Sequence, residues 1–271
     1  MMKLKIYQVD AFASKVFEGN PAAVCPLAEW LDDDVLQKIA EENNLSETAF
    51  FVESEKNIHL RWFTPMEEVD LCGHATLAAA FVLYEHLGYS KPEVNFVTKS
   101  GELIVSKSNK GFSMDFPTSR LKPINAPKVL LEGLGDNIQP IDTMSAFDYV
   151  VVLNSEEEVR TLNPDFSKWL ALDLRGVVVT AVADSKDVDF VSRSFFPKLR
   201  VNEDPVTGSA HCEIAPYWKE KLSSSGSLSM SGELTGVQVS KRSGTVLCKV
   251  EGDRIILTGQ AVSYMTGEIT I

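Results

Sequence analysis

From Gly73 to Leu87 the chain reads Gly-His-Ala-Thr-Leu-Ala-Ala-Ala-Phe-Val-Leu-Tyr-Glu-His-Leu, and Gly88 closes the run. Ala75 and the stretch from Leu77 to Leu83 leave almost no polar face. A helix apolar all round has to be covered on every side, and this one falls short of the roughly 20 residues that span a bilayer. Its alanines let neighbouring backbone approach closely. A sheet curled around one central helix meets the requirement, so an α/β (α+β) fold is expected.

The flanking sequence supplies the strands. Alternation from Leu4 to Phe12 fits a half-buried strand, Gly19-Asn20-Pro21 marks a turn, and Ala22 to Cys25 follows as a second strand. Asp32-Asp33-Asp34 opens a helix reaching about Asn43. Those carboxylates are explained by capping and the helix dipole, not by a metal. Further strands are expected at Thr48 to Glu53, Ile58 to Thr64, Val94 to Thr98, Leu103 to Ser106 and Gly111 to Phe116.

The second half repeats the theme. Strands are expected at Tyr149 to Leu153, Val177 to Val182 and Asp189 to Phe195, then a helix from Gly208 to Leu222. Pro216 predicts a kink or short break near Cys212, because it lacks a donor and crowds the preceding turn. Ser223 to Ser227 reads as a flexible connector, and hairpin-like strands run from Leu228 to the end. The prolines at 117, 123 and 127 place a domain boundary between two lobes. The first is residues 1–116, completed by 260–271, and the second is residues 117–259.

Net charge of −12 and a pI near 4.9 argue against nucleic-acid binding, which needs clustered Lys and Arg. No apolar stretch suggests a membrane segment or a signal core, so a cytoplasmic protein acting on a small molecule is expected. Cys25, Cys72, Cys212 and Cys248 form no CxxC pair. They are read as free thiols, with neither a zinc framework nor a disulfide scaffold. His59 and His86 are read as surface or core residues, and the adjacent His211 and Cys212 cannot make a metal site alone.

Three segments carry chemistry: Leu45-Ser46-Glu47-Thr48-Ala49, Asp70-Leu71-Cys72-Gly73-His74-Ala75-Thr76, and Glu203-Asp204-Pro205-Val206-Thr207-Gly208-Ser209-Ala210-His211. The last two set Gly and small residues at a helix mouth. First-turn N–H groups there are unpaired and the dipole favours an anion, so each is a candidate carboxylate or phosphate cradle. Neither matches a Walker loop or GxGxxG, which disfavours nucleotides.

Together with Gly19-Asn20-Pro21, these segments resemble the motifs of the phenazine-biosynthesis PhzF family, in the family's order and over nearly the whole chain. The resemblance implies a diaminopimelate epimerase-like fold. That fold has two pseudo-symmetric lobes, each a mixed sheet or barrel around a central helix, with a small carboxylated substrate bound between them. It implies a cofactor-independent, metal-free isomerase with Glu47 as acid/base and His74 and Asp204 beside it. Gly73, Gly208, Ser209, Ala75 and Asn20 are then the substrate-binding residues. A homodimer is also implied. The activity named for the family isomerises trans-2,3-dihydro-3-hydroxyanthranilate, a substrate that resemblance alone does not assign here. The chemistry suits a carboxylate, since moving a hydrogen between carbons needs one group that removes a proton and returns it elsewhere.

Two rivals follow. Racemases of that fold use a cysteine at each helix mouth. Cys72 holds the first place, but Thr207 holds the second, and a threonine hydroxyl is a poor base. The other rival is a catalytically silent small-molecule-binding protein that keeps the cleft without turnover.

Overall fold

A computed structural model describes residues 1–54, 57–227, 229 and 231–271; Leu228, where the C-terminal hairpins were expected to begin, lies outside the described residues. The chain is a mixed α/β fold with six α-helices among the described residues. It separates into two compact units, Met1–Asp115 with Thr258–Ile271, and Phe116–Leu257.

In the first unit the sheet is mixed. Strand Lys3–Ala11 runs antiparallel to Ala261–Thr270 on one side and to Asn20–Leu27 on the other. Asn20–Leu27 lies parallel to Glu47–Glu53, which pairs antiparallel with Ile58–Phe63. Glu93–Thr98 and Gly101–Ser108 extend the sheet. Helix α1 (Asp33–Asn43) covers one face, its Leu36, Ile39 and Ala40 packing with Ala23, Cys25, Phe50 and Phe63. Helix α2 (Gly73–His86) is the apolar run identified in the sequence. Ala75, Thr76, Leu77, Ala78, Ala79, Ala80, Val82 and Leu83 are all buried. It packs against Lys3–Ala11, Asn20–Leu27, Glu47–Glu53, Gly101–Ser108 and Ala261–Thr270, the curled sheet that an all-apolar helix requires. Gly88, at φ +72, ends it as a left-handed C′ residue, with Leu87 N–H on the Val82 carbonyl and Tyr89 N–H on that of Leu83.

The second unit contains α3 (Lys128–Leu134), α4 (Glu156–Thr161), α5 (Phe166–Trp169) and α6 (Gly208–Ser225). Its strands pair as Asp142–Ser145, Tyr149–Val152, Val177–Val182, Phe190–Phe196, Glu233–Gln238 and Gly244–Glu251. Trp169 anchors a core with Leu130, Val151, Val179 and Phe195. Its indole N–H donates to the Leu130 carbonyl at 3.1 Å.

Two local expectations are corrected. Of the kink or short break expected near Cys212, the break does not occur: helix α6 is continuous with Pro216 inside it. The proline removes the N–H that would bond the Cys212 carbonyl, and Ser119 N–H takes that carbonyl instead at 3.1 Å. The serines from 223 are not a flexible connector either. Ser223 and Ser224 donate their hydroxyls to the carbonyls of Lys219 and Glu220, and Gly226, at φ +74, caps the helix after Ser225.

Candidate active site

In the first unit Glu47 opens strand Glu47–Glu53 and lies in register with Ala22. The residues on either side of it are tied down. Ser46 donates its hydroxyl to Asn20 Oδ1 at 3.0 Å, and Asn43 Nδ2 donates to Thr48 Oγ1 at 3.0 Å. Asn20 is fully buried and follows Gly19, whose φ of +67 leaves no room for a side chain. A Cβ at Gly19 would sit 2.2 Å from the Ala11 carbonyl oxygen. The turn thus fixes Asn20, which fixes Ser46 beside Glu47.

Cys72 is the extended N-cap of α2 and His74 is the second residue of the helix. The imidazole lies between two partners. Nδ1 is 3.5 Å from Cys72 Sγ, and Nε2 is 3.0 Å from Glu47 Oε2. His74 and Cys72 are each 7% exposed, and the Glu47 side chain 18%. Although Nε2 and Oε2 are close, they are out of hydrogen-bond alignment, and both atoms are buried without a hydrogen-bond partner among the described residues. One ligand atom from each of Glu47, Cys72 and His74 lies within 4.8 Å of the others.

Burial works against a charged ring at His74, but the flanking Cys72 sulfur and Glu47 carboxylate outweigh it and hold the imidazole above its ordinary pKa. Burial, with the Glu47 charge adding to it, pushes the Cys72 thiol up to about 11. At neutral pH the sulfur is therefore a thiol, and the Glu47 charge is the one that favours the imidazolium.

In the second unit Asp204 ends strand Val201–Asp204, and Thr207 is the extended N-cap of α6, as Cys72 is of α2. The Thr207 hydroxyl does not cap the helix but donates to Asp204 Oδ2 in a short bond. Gln238, fully buried, accepts from Thr207 N–H at 2.9 Å and donates to the Asp204 carbonyl at 2.7 Å. Ser209 accepts from Arg175 Nη2 at 3.0 Å, and Arg175 grips Asp148 through Nε at 3.0 Å and Nη2 at 2.5 Å. Behind them Glu213 Oε1 accepts from the N–H groups of Phe147 and Asp148. Burial and the Asp148 charge raise Glu213 to about 8. His211 is core: its Nδ1–H donates to the Thr207 carbonyl at 2.8 Å, and burial lowers it to about 4.

Of the residues singled out in the sequence, Glu47, His74, Gly73, Ala75 and Asn20 belong to the first unit, where Glu47 and His74 meet. Asp204, Gly208 and Ser209 belong to the second, clustered at the mouth of α6. Gly208 is sterically free, since a Cβ there would meet only Leu257 Cδ1 at 3.7 Å. Arg175, Asp148 and Gln238 were missed because they are scattered along the chain. Glu213 did carry a signal: it sits among the buried Ala210, His211, Ile214 and Ala215 of α6.

The profile of the phenazine biosynthesis-like protein family matches residues 9–267. The chain belongs to the PhzF family. An uncharacterized isomerase of Pseudomonas aeruginosa is 50% identical over 99% of each chain. A crystal structure of a PhzF-family protein from Enterococcus faecalis superposes with a TM-score of 0.93 at 46% identity, covering 100% of both chains. A hydroxyproline epimerase from Agrobacterium vitis has a TM-score of 0.56 at 10% identity, over 98% of this chain and 92% of its own, a likeness of fold alone. Curated PhzF-like relatives at 44–50% identity are named isomerases, which places the chain in that class. All four cysteines are free and buried. No helix among the described residues is long and apolar enough to cross a membrane.

Proposed function

We propose that this PhzF-family chain is a cofactor-independent isomerase that shifts a proton on a small carboxylated substrate, with Glu47 as the acid/base. The observation that carries the reading is the buried Glu47–His74 pair, with Oε2 and Nε2 3.0 Å apart and neither hydrogen-bonded. A buried carboxylate set against an imidazole held toward its charged form is the kind of arrangement that marks acid/base sites. Glu47 takes a proton from a substrate carbon, holds it as the carboxylic acid, and returns it to another carbon. His74, biased toward its charged form, stabilises negative charge as it develops on the substrate. First-turn N–H groups of α2 at Gly73 and Ala75 suit a substrate carboxylate. The mouth of α6 offers donors of the same kind at Gly208 and Ser209, with Asp204 as an acceptor for an amine or hydroxyl.

Two-cysteine racemisation has less support. Thr207 holds the place matching Cys72, and its hydroxyl is engaged by Asp204. Proton NMR in deuterated water, with a panel of small unsaturated and amino carboxylic acids, tests the proposal. Deuterium uptake or rearrangement of one compound is expected with wild type, with a loss of about 10²–10⁴-fold in Glu47→Gln. Exchange that survives Glu47→Gln and disappears in Cys72→Ser would transfer the role to the thiol.

A further inference from the structure

We infer, on the reading that Ser209 binds substrate, that Arg175 is a positioning residue for that binding. It takes the acceptor side of the Ser209 hydroxyl and leaves the group a committed donor, so that the mouth of α6 receives a carboxylate.

Arginine has five N–H donors and no acceptor, whereas a serine hydroxyl has one hydrogen and two lone pairs. Where Arg175 Nη2 meets Ser209 Oγ at 3.0 Å, the serine therefore accepts. Its own hydrogen has no acceptor among the described residues, and Ser209 is exposed. The serines at the other end of α6 behave differently: Ser223, Ser224 and Ser225 donate to carbonyls of their own helix. Ser209 is the second residue of α6. Helical Cα–Cβ bonds tilt toward the N-terminus, so its hydroxyl stands beside the unpaired first-turn N–H groups. The Thr207 hydroxyl at the same mouth is already engaged by Asp204.

The guanidinium is held on every side. Nε and Nη2 fork onto the fully buried Asp148, and Cζ lies 5.0 Å from the centre of the Phe196 ring. Asp148 is fixed in turn, because its N–H and that of Phe147 donate to Glu213 Oε1. Glu213 follows Ser209 by four residues on the same face of α6. A circuit of bonds thus leaves α6 at Glu213 and returns to it at Ser209. The fork pairs the Asp148 charge whatever residue stands at 209, so the link to Ser209 is not needed for that pairing. Its effect is to turn the free hydrogen of Ser209 away from the cation. A hydroxyl so directed bonds an anionic oxygen more strongly than a neutral one, which favours a carboxylate over an amide.

Binding is measured without turnover. The panel of small unsaturated and amino carboxylic acids is screened against the full chain by ligand-observed NMR. The acid bound most tightly is then titrated beside its primary amide. Ser209→Ala should weaken the acid about tenfold and narrow its advantage over the amide. In Arg175→Lys a single ammonium cannot both fork onto Asp148 and hold Ser209, and binding should weaken by roughly threefold or more. Arg175→Met combined with Asp148→Asn removes both charges, leaves no buried charge unpaired and should give a similar loss. Adding Arg175→Lys to Ser209→Ala decides the role: the pair should bind no more weakly than Ser209→Ala, whereas an independent structural effect would add. Circular dichroism checks that each variant is folded. Additive losses, or wild-type affinity in both Arg175 variants beside a loss in Ser209→Ala, would overturn the role of Arg175 and leave Ser209 as a substrate-binding residue. Wild-type affinity in Ser209→Ala, or no acid bound at millimolar concentration, would overturn both. Proton transfer by Glu47 is tested apart from these, by deuterium exchange.

Discussion

Replacing Glu213 by Gln should flatten the dependence of folding stability on pH. Glu213 is fully buried on α6, its Oε1 accepts two backbone N–H groups, and its Oε2 has no hydrogen-bond partner among the described residues. Burial first, and then the nearby Asp148 charge, lift its pKa from an ordinary 4.5 to about 8. The folded protein therefore holds a proton that the unfolded chain has released between those values. Its stability contribution is complete below about pH 4.5, falls as pH rises, and is exhausted near pH 8. At about 1.4 kcal/mol per pH unit, the interval from pH 5 to pH 8 is worth at most about 4 kcal/mol. Coupled titration with Asp148 brings the expectation to roughly 2–4 kcal/mol. Glutamine keeps a carbonyl oxygen for both backbone donors and carries no titrating group. Its amide nitrogen in the place of Oε2 adds a penalty that does not vary with pH. Urea unfolding of both proteins at half-unit steps from pH 5 to 8.5 gives the difference. The variant's stability should rise relative to wild type by that 2–4 kcal/mol across the range. Parallel profiles would refute the reasoning, because they would mean that Glu213 is ionised in the folded state throughout.

Three further outcomes are expected. Arg175→Lys keeps the charge but loses the two-pronged grip on the buried Asp148 and the bond to Ser209, so it should destabilise by about 2–3 kcal/mol in urea. Wild-type stability in the lysine variant would mean that solvent already compensates Asp148. Gly236→Ala places a Cβ 2.5 Å from Phe190 Cζ and 3.1 Å from His211 Cδ2, a clash that should cost about 1–3 kcal/mol and lower the Tm by several degrees. An unchanged Tm would show that the Phe190 ring has room to move. With its thiol at about 11, Cys72 is roughly one part in a thousand thiolate at pH 8. Native protein should therefore resist iodoacetamide there, as judged by intact mass, until urea exposes it.

The elements legible in the sequence are those whose burial leaves a periodic or continuous apolar trace. Helix α2 was expected from Gly73 to Leu87 and runs Gly73–His86, and Val177–Val182 was expected within those bounds. The short helices α3, α4 and α5 went unseen. Each has at most two turns, too few to display a period, and α3 and α5 are held by tertiary contact. Gly133 of α3, for example, lies where a Cβ would come 2.1 Å from Trp169 Nε1. The correction at Pro216 has the same origin. The penalty for a missing donor was visible locally, but Ser119, which satisfies the Cys212 carbonyl, lies far away in sequence. At the site, the motifs marked Glu47 and His74, and no spacing rule put Cys72 on the opposite nitrogen of the same ring. Gln238 and Arg175 left no trace because their partners are brought together only by the folded sheet.

The bond from Ser119 to the Cys212 carbonyl makes the order of folding in the second unit asymmetric. An ordinary helix closes every rung from within its own last turn, on a submicrosecond timescale. At Pro216, α6 gives up one such rung and takes it back from a segment about ninety residues earlier. The Ser119 N–H therefore gains protection against hydrogen exchange only when its segment has docked on α6, and the chain entropy of so long a loop has to be lost first. In this helix a proline turns a local bond into a report on whether distant parts of the unit have assembled.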